Sequence, residues 1–167
     1  GWHELTKLII PVMRKQGHGR IIQCSSVLGF VSMTYRGAYN ASKYALEGLT
    51  DTLRLELKSA NIAVILLQPG PINTQFRANA LIAFNNHVDN ENSVHKVQYQ
   101  RQVDRLSSNK SDAKLTLEPA DVTKALIHAL ESKKPKIRYR ITIPTKLFAV
   151  FKRILPTRWL DSLLLKG

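Results

Sequence analysis

The sequence predicts an α/β fold in which helices alternate with a parallel sheet, and three observations carry that prediction. RIIQCSS (20–26) and NIAVILLQPGP (60–71 region, from Asn61) are short, nearly continuous apolar runs, the pattern of strands covered on both faces, and RYRITIP (138–144) supplies a third. Between them, apolar residues recur every three to four positions, as amphipathic helices require. Alternating strands and helices build right-handed crossovers around a parallel sheet, and ligands of such sheets collect beyond the carboxyl ends of the strands.

The elements follow in order. Leu5, Leu8, Ile9, Val12 and Met13 line one face of an opening helix, and a chain that starts inside a helix leads to the expectation that an N-terminal part precedes it. GHGR (17–20) stops that helix and turns the chain into the first strand. From Ala38 to Ser59, Ala41, Ala45, Gly48, Leu49 and Leu53 mark the buried face of a helix of about six turns, widened by Leu46 and Leu57. The second strand stops at Pro69, Gly70 and Pro71. Residues 72–117 are polar and rich in Asn, Gln and Ser, with short helices expected at 78–84 and 94–106 and no strand; so long an excursion reads as a lid or binding segment. A helix begins at Pro119 or is capped by Asp121, burying Val122, Ala125, Leu126 and Ala129.

A chain of 167 residues with 44% apolar and 22% charged content can bury one core. The single cysteine, Cys24, excludes a disulfide framework and reads as a buried, inert thiol suited to a reducing, cytoplasmic location. No apolar run reaches the roughly 18 residues a membrane span needs. His3, His18, His87, His95 and His128 lack metal-ligand spacing, so no metal site is expected. The net charge of +13 is uneven: residues 133–167 hold ten Lys or Arg against Asp161 alone, which leaves +4 for the remainder.

Tyr39 and Lys43 are four residues apart and share one helix face. A phenol titrates near 10 and is a poor base at neutral pH, but an ammonium one turn away favours the phenolate. By itself a Tyr-x-x-x-Lys spacing most often marks a packed tyrosine and a solvated lysine. The surroundings change that weighting: Ser26 ends the first strand, Ala41 and Ser42 precede Lys43, and Pro69-Gly70 follows the second strand thirty residues after Tyr39. GRIIQCSSVLG, AYNASKYALEGLTDTLRLEL and VILLQPGPINT together resemble the short-chain dehydrogenase/reductase family over residues 1–143, including the interval of thirteen between Ser26 and Tyr39.

The resemblance implies a Rossmann-like, doubly wound parallel sheet of which this chain holds the last three strands. It implies an NAD(P)-dependent oxidoreductase that interconverts an alcohol and a carbonyl. Tyr39 is then the general acid/base, Ser26 positions the substrate oxygen, and Lys43 lowers the tyrosine pKa and binds the nicotinamide ribose. The loop of Pro69, Gly70, Ile72 and Thr74 would meet the nicotinamide carboxamide, the cofactor being NADP ahead of NAD. Leu28, with Ser26, would contact substrate, and the bulk of Leu28, Phe30 and residues 76–84 suits an apolar one. The family's glycine-rich phosphate loop and active-site asparagine have no counterpart here, since GHG (17–19) precedes a strand rather than following one. The isolated chain is therefore expected to leave one edge of its first strand unpaired and to bind dinucleotide weakly.

In domain terms, residues 1–143 read as the C-terminal part of a dinucleotide-binding domain, with 72–117 as its substrate-binding loop region. Residues 144–167 form a basic amphipathic tail, with Leu147, Phe148, Val150, Phe151, Ile154 and Leu155 expected on one side. Packing within the protein or peripheral membrane contact through 145–167 suits this tail better than nucleic acid, because its aromatics lie among the apolar residues. The expected partners are a small-molecule alcohol or carbonyl substrate and, for the complete protein, a second copy of itself. A competing reading is a truncated, non-catalytic module that binds a membrane or partner through the tail.

Overall fold

The computed structural model describes residues 1–108 and 115–165; residues 109–114 of the 72–117 segment and 166–167 of the tail lie outside the described residues. Three strands, β1 (Gly19–Cys24), β2 (Ile62–Gln68) and β3 (Arg138–Arg140), form one parallel sheet in the order β1-β2-β3. Gly19 is in register with Ile62, and Leu66 with Arg138. The α/β class with a parallel sheet is as the sequence predicts.

Period-two alternation along β2 sends its side chains into two cores. On one face Ile62 and Val64 meet Ile21 and Leu57, closed by Ile10 and Met13 of α1 (Trp2–Gln16) and Leu53 of α2 (Gly37–Glu56). On the other, Ile65 and Leu67 pack with Ala129 and Tyr139 under Val122, Ala125 and Leu126 of α5, the helix Pro119–Glu131. Helices thus cover both faces, which is why β2 can be apolar throughout. Each such fully buried aliphatic side chain contributes about 1.5–3 kcal/mol relative to exposure.

One expected boundary shifts. β3 ends after three residues because Thr142 leaves the strand to cap α6 (Ile143–Ile154), its hydroxyl accepting from Thr145 N at 3.4 Å, with Pro144 in the first turn. The expected strand at 141–144 is therefore a helix start. Pro156 divides the amphipathic tail into α6 and α7 (Thr157–Leu164).

The described residues divide into two compact units, Gly1–Gly70 with Ala120–Gly167, and Pro71–Pro119. Within the second, α3 (Phe76–His87) and α4 (Lys96–Ser107) meet edge to face through Phe84 and Tyr99, ring centroids 5.5 Å apart. Its two ends are tied by Asn73 N donating to Leu117 O at 2.9 Å and Leu117 N to Pro71 O at 3.2 Å.

Candidate functional site

The carboxyl ends of β1 and β2 are joined by two main-chain hydrogen bonds, Ser25 N to Leu67 O and Val27 N to Pro69 O, both 2.8 Å. These bonds bring the segment after β1 against the Pro69-Gly70 turn. Ser26 leaves the strand in extended conformation and caps a single 3-10 turn (Val27–Gly29), its Oγ accepting from Leu28 N at 3.2 Å.

Tyr39 lies in the first turn of α2, and Lys43 one turn further along the same face. The Ser26 hydroxyl hydrogen-bonds the Tyr39 phenol. The Lys43 Nζ donates to Cys24 O at 2.9 Å and stands 5.8 Å from the centroid of the Tyr39 ring. Ser26, Tyr39 and Lys43 are thus brought together at the end of β1.

The phenol differs from expectation in its titration. Burial pushes the Tyr39 pKa above its ordinary 10.0; the Ser26 hydrogen bond and the Arg36 charge pull it down, and Cys24 adds to the rise. Cys24 itself is exposed rather than buried; it ends an edge strand, where one side has no neighbouring strand among the described residues.

Gly70 has a packing use besides the one its motif suggests. A Cβ there would collide with Thr142 Oγ1 and lie 2.8 Å from Thr145 Oγ1, two threonines that are wholly buried. The absent side chain makes room for the start of α6. Leu28, expected at the substrate, is only 5% exposed and packs with Val27 and Val31, so a ligand could reach it only by opening that cluster. Ile72 and Thr74 belong to the second unit, where Ile72 bridges to Leu117 and Thr74 Oγ1 accepts from Phe76 N at 3.3 Å.

GHG (17–19) has no phosphate-binding geometry. Gly17 takes the left-handed conformation that stops α1 (φ 79°), and Gly19 opens β1 against Met13. A cavity of about 170 Å³ opens elsewhere, between Val31, Tyr44, Leu160 and Asp161, and none of Ser26, Tyr39 or Lys43 lines it. Among the described residues no cluster of three His, Cys, Asp or Glu is placed to hold a metal ion.

One set of residues behind the site escaped the sequence reading. Glu47, one turn beyond Lys43, takes hydrogen bonds from Gln68, the residue before Pro69, and its Oε2 is 3.7 Å from Arg138 Nε. Arg138 also grips Asp51 through Nη2, with Oδ1 at 2.6 Å. A glutamine ending an otherwise apolar strand and a glutamate on the buried face of α2 were the available signals.

The chain belongs to the short-chain dehydrogenase/reductase family. The family described as short chain dehydrogenase matches residues 1–83. A relative in Escherichia coli K12, named uncharacterized oxidoreductase YbbO, is 42% identical over 165 residues, covering 98% of this chain and 55% of its own length. Human retinol dehydrogenase 8 is 30% identical over 140 residues, 84% of this chain and 45% of the relative. A short-chain dehydrogenase structure from Streptomyces avermitilis superposes with a TM-score of 0.64 at 26% identity, covering 97% of this chain and 54% of that one. The chain spans about half the length of the curated relatives it matches.

Proposed function

We propose that this chain supplies the proton-transfer half of an NAD(P)-dependent oxidoreductase that interconverts an alcohol and a carbonyl. The observation that carries the reading is the phenol of Tyr39, hydrogen-bonded by Ser26 and flanked by the Lys43 ammonium. In reduction the Tyr39 hydroxyl gives its proton to the substrate carbonyl oxygen, and in oxidation the phenolate takes it from the alcohol. The Ser26 hydroxyl donates to the same oxygen and fixes its position.

The donor set suits the nicotinamide half of a dinucleotide. An ammonium has three donors, and the Cys24 carbonyl uses one, leaving Lys43 able to hold ribose hydroxyls beside Tyr39. The Pro69-Gly70 turn, bound to Val27 through the Pro69 carbonyl, forms the adjoining wall, and Ile72 and Thr74 extend the sequence of that loop. A bound NADP or NAD supplies or accepts the hydride. A short-chain dehydrogenase/reductase from Burkholderia phymatum, 26% identical with a TM-score of 0.59, was solved in complex with NAD, which supports this assignment.

The substrate we infer is apolar. The human relative's name specifies retinol, an apolar alcohol, and Tyr39 stands against apolar neighbours.

The test is Tyr39→Phe in the full-length protein. Turnover should fall at least about 100-fold, the usual worth of a general acid/base, while dinucleotide binding measured by calorimetry is retained. Turnover that survives the substitution would overturn the assignment of Tyr39.

A further inference from the structure

The tail distributes its apolar residues over two opposite faces of α6. Phe148 packs against the cluster after β1, and Thr145 and Ala149 are buried beside it. Ile143, Leu147, Val150 and Ile154 are instead 57, 49, 51 and 66% exposed. Their spacings of four, three and four place them in one stripe, about 16 Å long at 1.5 Å per residue. In α7, Trp159 and Leu163, four apart, are exposed as well.

Lys146 and Arg153, seven residues apart, border the same edge of the α6 stripe, and Arg158 stands exposed at the start of α7. α6 contains no acidic residue. A second copy of this face would therefore oppose cation to cation, whereas an anionic surface complements both the charge and the apolar stripe. Among the described residues no helix is long and apolar enough to cross a membrane, so such contact would lie in the interface plane.

We propose that the outer face of α6, with Trp159 of α7, docks on the surface of an anionic lipid bilayer, the stripe entering the headgroup boundary and Lys146 and Arg153 pairing with lipid phosphates. The inner face keeps its packing on the segment that carries Ser26, so docking needs no unfolding of the site. This surface is independent of the chemistry assigned to Tyr39.

The test uses the full chain with vesicles of mixed phosphatidylcholine and phosphatidylglycerol, and with phosphatidylcholine alone. Binding is expected to the anionic vesicles and to weaken as salt is raised. The Lys146→Gln, Arg153→Gln variant should bind roughly 30-fold more weakly, from about 1 kcal/mol per cation near the surface. Leu147→Ser, Val150→Ser, Ile154→Ser leaves the net charge at +13 and should lose most of the binding, with circular dichroism reporting whether it stays folded. Trp159 fluorescence, read in a Trp2→Phe background, should shift to the blue on anionic vesicles and gives an answer that does not depend on the serine variant. The proposal is overturned if the unaltered chain ignores anionic vesicles. It is equally overturned if the folded serine variant binds as well as the parent, since charge alone then suffices. Concentration-dependent dimers that form without lipid and vanish in the serine variant would assign the face to a second copy instead.

Discussion

Both oxygens of the Glu47 carboxylate accept from the single Gln68 Nε2, each at 2.9 Å. The pair fastens α2, which carries Lys43 and Tyr39 one and two turns earlier, to the end of β2 just before the Pro69-Gly70 turn. Glu47→Ala should strand the buried Gln68 amide and remove a carboxylate from Arg138, at a cost of about 2–4 kcal/mol. Denaturant unfolding checks the figure, and Glu47→Gln, which keeps one acceptor, should recover part of it.

Gly70→Ala is expected to destabilise the fold by about 1–3 kcal/mol, because its methyl would enter the space held by Thr142 and Thr145. Thermal melts of Gly70→Ala, Thr142→Ala and the double variant should show strong non-additivity, since the two sites are in contact. Additive losses would mean that the glycine acts through chain flexibility rather than space.

Arg20 donates to Ala129 O at 2.7 Å and to Ser132 O at 2.6 Å, so a guanidinium from β1 closes the carboxyl end of α5. Arg20→Ala should cost about 1–3 kcal/mol by chemical denaturation. Arg20→Lys, with one compact donor group in place of the fork, should retain less than the full stability.

Tyr39 gives a pH dependence with a definite sign. Its folded pKa lies above the unfolded value of 10.0, so the folded state holds the proton more tightly. The corresponding stability is fully present below pH 10.0 and is lost as pH rises through the folded pKa. Tyr39→Phe should therefore lose less stability than the parent between neutral and strongly alkaline pH, measured by urea midpoints at each pH.

How much of this could be read from the chain depends on the range of the interactions. β2 and α2 were legible because their patterns are local: an apolar run that stops at Pro69, and a helical repeat from Ala41 to Leu53. Helix spacing put Tyr39 and Lys43 on one face, but Ser26 could be joined to them only through the family resemblance. The Glu47, Gln68 and Arg138 contacts join residues on three separate elements, which no local periodicity encodes. The position of Cys24 and the use of Gly70 depend on which neighbours the fold supplies, a sheet edge in one case and two buried threonines in the other. The tail's apolar residues were visible, but their division between inner and outer faces is fixed by the docking of Phe148 and Ala149.

The cap that Ser26 places on its 3-10 turn bears on more than the local backbone. With one lone pair of Oγ taken by the Leu28 amide, the hydroxyl is held in place beside the Tyr39 phenol, whose pKa it lowers. In the role we propose for Ser26, a substrate oxygen would meet a hydroxyl whose position was settled when the chain folded, with little rotational freedom left to lose.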